Sequence, residues 1–210
     1  MLTLYAPDYA TVPVVNCSPP SWMAHVLLEE KQLEYRVKWL SFTRGEHKTP
    51  AMLARNPRGT IPVLEDGDVA VHETLAILEY IELSYPQPAL LPPGRNARAR
   101  ALTRLHESAY VKDAGMAVFR RLMRRAEGEP EDREIWAELD TELARWDAYL
   151  ADGEFTGGDE LGLADLVLFT YVATAKRLGY SLAARENLAG HYERMTKRPS
   201  VTATWPSCWS

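Results

Sequence analysis

Two serines flank a pair of prolines in the segment Ser18-Pro19-Pro20-Ser21, and the residues after it carry apolar side chains at helical spacing. The segment therefore predicts the start of a helix. Unpaired N–H groups and a positive dipole are expected there, and a serine hydroxyl beside them would donate a hydrogen bond to a bound thiol and favour its thiolate form. The alternative is that Ser18 or Ser21 only caps the helix.

A second polar pair, Glu73-Thr74, stands where a predicted strand meets a predicted helix, with Thr74 expected as the N-cap. Free amides, a hydroxyl and the helix dipole suit an α-carboxylate, and the Glu73 side chain suits an α-ammonium. The pair predicts a site for the amino-acid end of a ligand. A plain helix cap with a solvated Glu73 is the alternative.

The tripeptide Ile61-Pro62-Val63 falls inside the predicted strand TIPVLE, where a proline removes a hydrogen-bond donor from the ladder. One explanation is a cis peptide bond before Pro62, which would turn the N–H and C=O of Ile61 outward to pair with an extended peptide. The other is an edge strand that tolerates the proline.

A fourth candidate is the polar segment Gly45-Glu46-His47-Lys48. His47 and Lys48 could bind a second carboxylate. An exposed loop without a ligand is the alternative, since such residues usually lie at the surface.

The elements that would hold these residues follow from the apolar pattern. Residues 1–84 predict a mixed α/β module of order βαβ then ββα, with Asp66-Gly67-Asp68 as the turn of a hairpin. Residues 85–94 are rich in proline and predict a linker. Residues 95–210 predict an all-helical domain, in which the nearly apolar helix 163–178 should be the buried centre.

Composition excludes several classes of protein. The chain has 210 residues, 46% hydrophobic and 25% charged, with a formal net charge of −5, so neither nucleic acid nor a membrane is an expected partner. Cys17 and Cys208 lie far apart and without metal-ligand spacing, which argues against a zinc site and suits a reducing compartment. The N-terminal segment lacks the pattern of a signal peptide, so we expect a cytoplasmic protein.

Taken in order, these segments resemble the glutathione S-transferase family, in particular its serine-dependent phi- and zeta-like cytosolic classes. The resemblance covers the first module through Ser18-Pro19, Leu28-Glu29-Glu30-Lys31, GEHKTPAMLARNPRGTIPVLEDGD and His72-Glu73-Thr74, and continues in GGDELGLADLVLF. It implies a thioredoxin-like, glutathione-binding domain over 1–84, followed by an all-helical domain over 95–210 that contributes the pocket for an electrophile. It also implies a homodimer.

The resemblance implies a role for each matching residue. Ser18 would hydrogen-bond the glutathione sulfur. The other residues would bind the rest of the tripeptide, which is a co-substrate that needs no metal; they are His47, Lys48, Thr60, Ile61, Pro62, Glu73 and Thr74.

One departure bears on catalysis, because the stretch from Tyr5 to Ser18 is longer than in the family pattern. Tyr5 or Tyr9 could replace Ser18 as donor to the sulfur, or Cys17 could form a mixed disulfide. The predicted function is transfer of glutathione to a small hydrophobic electrophile, or an isomerisation. The alternatives are a thiol-disulfide or deglutathionylating enzyme that uses Cys17, and a binding protein that keeps the fold without catalysis.

Overall fold

Strand β1 (Leu2–Pro7) is buried along its whole length, with a strand paired on each side and helix α1 (Pro19–Glu30) in contact with it. The computed structural model describes residues 1–11, 18–124 and 133–209. They divide into unit 1, which is Met1–Leu90 with Arg198–Ser210, and unit 2, which is Leu91–Lys197.

Unit 1 is built on a four-stranded sheet in the order β2-β1-β3-β4. Its other strands are β2 (Tyr35–Leu40), β3 (Val63–Asp66) and β4 (Val69–His72). The β1 and β2 strands are parallel, and β3 runs antiparallel to both β1 and β4. Helix α1 (Pro19–Glu30) joins the parallel pair, the short α2 (Pro50–Arg55) follows β2, and α3 (Thr74–Ser84) follows β4. The predicted βαβ-ββα order is confirmed.

Two local expectations in this unit are wrong. Strand β3 begins at Val63, so Pro62 precedes the ladder and removes no donor from it. Helix α3 begins at Thr74, so Glu73 and not Thr74 occupies the N-cap position, without a side-chain cap.

The described residues of unit 2 form helices and turns, with one isolated β-bridge between Phe155 and Gly158. The α-helices are α4 (Arg95–Arg124), α5 (Ala137–Tyr149), α6 (Leu163–Arg177) and α7 (Glu186–Thr196). Leu163 to Ala175 are all buried, which confirms α6 as the centre of the unit. At its start, Asp165 accepts backbone N–H bonds from Thr156 and Gly162 at 2.8 Å each and lies 3.0 Å from His191 Nε2. Asp165 therefore acts in the framework of the unit.

The C-terminal segment groups with unit 1, whereas the predicted helical domain extended to residue 210. Helix α8 (Pro199–Ala203) packs on α1. Arg198 donates from Nε and Nη2 to the Glu30 carboxylate, at 2.5 and 2.8 Å, and Ser200 Oγ donates to the same group. Burial by itself would raise the pKa of Glu30, but the hydrogen bonds from Arg198 and Ser200 outweigh it and lower that pKa.

Candidate functional site

Ser18 occupies the N-cap position of α1, directly after the undescribed residues 12–17. Its backbone is left-handed, with φ 50° and ψ 71°, and its half-buried hydroxyl donates to Ser21 Oγ at 2.9 Å. A hydroxyl at the positive end of a twelve-residue helix can donate instead to an anionic sulfur, after a rotation about one side-chain bond.

The unpaired N–H groups expected beside Ser18 are not found in the first turn of α1, from Pro19 to Trp22. Pro19 and Pro20 have no backbone N–H. The next two N–H groups, of Ser21 and Trp22, donate to the Ser18 carbonyl at 2.9 and 3.0 Å. The hydroxyl and the dipole are therefore the means by which this helix end can stabilise a thiolate.

Of the two tyrosines considered as alternative donors, Tyr5 has its hydroxyl engaged elsewhere. Tyr5 is buried on β1, where its hydroxyl donates to the Glu65 carboxylate and accepts a bond from Lys38 Nζ at 3.3 Å. Tyr9 is buried in the short 3-10 turn Tyr9–Thr11, where it packs against Phe42 and Trp209. Cys17, the alternative nucleophile, lies outside the described residues.

Sheet topology brings the candidate segments to one end of unit 1. Parallel pairing sets Pro7, at the end of β1, beside Leu40, at the end of β2. Antiparallel pairing sets the start of β3 and the end of β4 at the same edge, with Val63 opposite both Tyr5 and His72. The segments that contain Ser18, His47, Ile61 and Glu73 each join the sheet at this edge.

The peptide bond between Ile61 and Pro62 is cis, which is one of the two alternatives that the sequence left open. Among the described residues, no hydrogen bond uses the backbone of Ile61. Thr60, in contrast, is already bound, because the buried Asn56 side chain donates to its carbonyl at 2.8 Å and to its hydroxyl at 3.0 Å. Ile61 therefore offers open main-chain groups, while Thr60 acts in holding the loop.

Glu73 has an unusual backbone for a residue other than glycine, with φ 68° and ψ 120°. Its side chain is 65% exposed and lies 3.7 Å from Arg58 Nε. Conformations of this kind are found where the surrounding structure enforces them, often at binding sites. The carboxylate is accessible to a ligand ammonium, and Thr74 follows it in the first turn of α3.

His47 and Lys48 belong to the 3-10 turn Glu46–Lys48. The His47 ring stacks on Phe42, its Nδ1 is buried and has no partner among the described residues, and Lys48 is exposed. Burial, with a smaller contribution from Lys48, lowers the pKa of His47. A Cβ placed on Gly59 would lie 3.5 Å from Lys48 Cγ, so this pair lies beside the loop that leads to Ile61.

Three residues that support the site were not singled out from the sequence: Phe42, Asn56 and Arg58. The Asn-Pro-Arg-Gly turn was visible, but nothing local shows that Arg58 reaches Glu73 or that Asn56 binds Thr60. No local pattern marks Phe42 as the residue on which His47 stacks.

The described residues offer neither a metal site nor a membrane-spanning helix. They contain no group of three or more His, Cys, Asp or Glu side chains arranged to hold a metal ion. None of their helices combines the length and hydropathy needed to cross a bilayer.

Comparison with known proteins gives the same family for both units. Residues 17–83 match the family model described as Glutathione S-transferase, N-terminal domain, and residues 110–199 match Glutathione S-transferase, C-terminal domain. The chain is 32% identical over 200 residues to Glutathione S-transferase A of Pleuronectes platessa, covering 91% of this chain and 89% of the relative. It is 33% identical over 175 residues to maleylacetoacetate isomerase of Pseudomonas aeruginosa, covering 80% and 82%.

The solved structure of a glutathione S-transferase from the Antarctic clam Laternula elliptica is also similar, with a TM-score of 0.85 and 31% identity. The match covers 99% of this chain and 93% of that one. Together with the thioredoxin-like order of unit 1 and the helices of unit 2, these matches show that the chain belongs to the glutathione S-transferase family.

Proposed function

We propose that this protein binds glutathione at the edge of the sheet in unit 1 and activates its thiol for attack on a small hydrophobic electrophile. The observation that carries the proposal is the arrival of four segments at one sheet edge, each with a group suited to a different part of glutathione. Family membership supports a glutathione-dependent transferase activity.

The tripeptide is assigned by matching charges and hydrogen bonds. Glu73 and the start of α3 at Thr74 suit the ammonium and carboxylate of the γ-glutamyl end. The open main-chain groups of Ile61, before cis Pro62, suit the cysteinyl backbone. His47 and Lys48 suit the glycyl carboxylate, and Thr60 is a framework residue because Asn56 already binds it.

Ser18 is proposed as the catalytic residue that holds the sulfur. A free cysteine thiol has a pKa near 8.5, so most of it is protonated at neutral pH. A hydrogen bond from Ser18 Oγ and the dipole of α1 both stabilise the thiolate, and the thiol proton leaves to solvent. The thiolate then forms a carbon–sulfur bond with an aryl halide while the halide departs with the bonding electrons.

Isomerisation is a second candidate reaction, favoured by the 33% identity to maleylacetoacetate isomerase. The same thiolate would add to an unsaturated carbon, allow rotation about the former double bond, and then leave. Both reactions need the same activated sulfur, so they share the assignment of Ser18.

The decisive experiment compares Ser18→Ala with Cys17→Ala in the full chain. Ser18→Ala should lower kcat/KM for conjugation of 1-chloro-2,4-dinitrobenzene by about 10- to 100-fold, as expected for a lost hydrogen bond to a charged group, and leave glutathione affinity nearly unchanged. Cys17→Ala should retain conjugation.

Other outcomes would support the alternatives. If Ser18→Ala kept full conjugation while Cys17→Ala abolished reduction of a glutathione mixed disulfide, the Cys17 enzyme would be correct. Absence of glutathione binding by calorimetry would favour the non-catalytic binding protein. The homodimer that family membership supports is checked by light scattering on a sizing column.

A further inference from the structure

A cavity of about 300 Å³ lies within unit 1, and none of the residues assigned to glutathione lines it. Its walls come from the segment after β1, from α1, from the end of β2 and from the C-terminal segment. His25, on its α1 wall, lies seven residues beyond Ser18, about 10 Å farther along the helix. The volume is at the lower end of the range for small-molecule sites.

Aromatic rings dominate the lining. The Tyr9 and Trp39 ring centroids are 5.6 Å apart at 51°, and the His25 ring meets Trp39 at 6.1 Å and 69°. Trp205 contributes from the C-terminal segment and is held by an edge-to-face contact with the buried Trp22, at 5.4 Å. Trp39 is 47% exposed and Trp205 36% exposed, so two tryptophans present ring surface to whatever occupies the cavity.

The charge of the lining is negative. Asp8 supplies a carboxylate, and no lysine or arginine is among the lining residues. One oxygen of Asp8 accepts the Ala10 N–H at 3.0 Å, which fixes the orientation of the side chain. Burial lowers the pKa of His25, against the opposing effect of Glu29, so the imidazole is neutral at pH 7 and adds no positive charge.

One lining hydroxyl, that of Thr204, is already used within the protein. The Thr204 hydroxyl accepts a bond from Trp22 Nε1 at 3.1 Å and donates to the Ser200 carbonyl at 2.8 Å, so it is already paired within the protein. A ligand that carries a diffuse positive charge on an apolar body would match both the rings and the carboxylate.

We propose that this cavity binds a small organic cation of the quaternary ammonium class, with its alkyl groups against Tyr9, Trp39 and Trp205 and its charge next to Asp8. Such a cation is weakly hydrated and needs no hydrogen bonds, and the negative faces of aromatic rings attract it. An anion would be repelled by Asp8. The site is independent of the tripeptide site and of the assignment of Ser18.

Isothermal titration calorimetry of the full chain without glutathione tests the proposal with a matched pair of probes. Choline carries the trimethylammonium group, and 3,3-dimethyl-1-butanol has the same shape without the charge. Choline should bind at least about tenfold more tightly. Equal affinity for the two probes, or no binding of choline at millimolar concentration, would overturn the proposal.

Variants locate the site. Asp8→Asn keeps the acceptor for Ala10 but removes the charge, and should weaken choline binding about tenfold. Asp68→Asn, the same change in the exposed β3–β4 turn, should leave it unchanged. Trp39→Leu changes a surface side chain and should weaken choline binding several-fold. This variant tests the site without altering the segment that contains Asp8. Wild-type affinity in both Asp8→Asn and Trp39→Leu would show that choline binds elsewhere and that the proposal is wrong.

Discussion

The imidazole of His47 lies almost parallel to the ring of Phe42, with the ring centroids 4.1 Å apart and the planes inclined by 11°. The stack holds His47 at the surface edge of unit 1 in one orientation. It also removes the imidazole from water, which is the main reason that its pKa is lowered.

Glutathione binding should therefore strengthen as the pH falls. His47 is mostly neutral at pH 7, and a ligand carboxylate favours the protonated ring, so binding takes up a proton. We expect the Kd to decrease about threefold between pH 7.5 and pH 5.5 by calorimetry. His47→Gln should remove this pH dependence. Lys48→Gln should weaken glutathione binding but keep the pH dependence. A pH profile that is the same in His47→Gln as in the wild type would contradict the assignment.

The ion pair between Glu30 and Arg198 should give a pH-dependent contribution to stability. The pKa of Glu30 is lowered in the folded state, so its contribution is present above the unfolded pKa, near 4.3, and is lost as the pH falls through the folded value. Glu30→Gln should lower the free energy of unfolding by about 1–2 kcal/mol at pH 7 and by much less at pH 3. Urea denaturation measures both, with the exposed Glu34→Gln as the control at each pH.

Lys31 and Glu82 form a buried pair, 2.5 Å apart, with side chains 0% and 5% exposed. Glu82→Gln keeps an acceptor for the Leu90 N–H but leaves the Lys31 charge unpaired, so it should destabilise the protein by about 3 kcal/mol. Lys31→Met with Glu82→Gln should be less destabilising than the sum of the single changes by at least about 1 kcal/mol. Additive values in chemical denaturation would show that the two charges do not interact.

Gly115 on α4 is required by its contact with α6. A Cβ at this position would lie 2.8 Å from Cδ1 of Tyr171, closer than packed atoms approach. Gly115→Ala should lower stability by about 1–3 kcal/mol, although alanine favours helix more than glycine. Gly190→Ala on α7 is the matched control, because its nearest neighbour is the flexible end of Arg194, and it should be neutral or slightly stabilising in thermal unfolding.

The sequence was sufficient to predict those elements whose structure depends on a local pattern of residues. The apolar run of α6 predicted a buried helix, and turn residues at Asp66-Gly67-Asp68 predicted the β3–β4 hairpin. The segments proposed to bind glutathione were found because each carries a local signal, which is a polar pair in three of them and a proline within a strand pattern in the fourth. Their meeting at one sheet edge follows from the strand order β2-β1-β3-β4, which the order of elements along the chain does not give by itself.

What the sequence could not show depends on contacts between distant residues. Glu30 and Arg198 are 168 positions apart, and no local pattern marks either as a partner of the other. The C-terminal segment was assigned to the helical domain because it follows helices, yet its contacts return it to unit 1. The sequence shows that Pro19 and Pro20 lack backbone N–H groups at the start of α1. It does not show that the N–H groups of Ser21 and Trp22 donate to the Ser18 carbonyl, because that depends on the left-handed backbone of Ser18.

The return of the C-terminal segment to α1 has a consequence for synthesis on the ribosome. Trp22 and Glu30 are made early, but Thr204 and Arg198, which pair with them, emerge only after all of unit 2 has been translated. Until then, Trp22 Nε1 and the Glu30 carboxylate on α1 lack these two partners. The nascent N-terminal module is therefore expected to stay open to proteases or chaperones until Arg198 and Thr204 have left the ribosome.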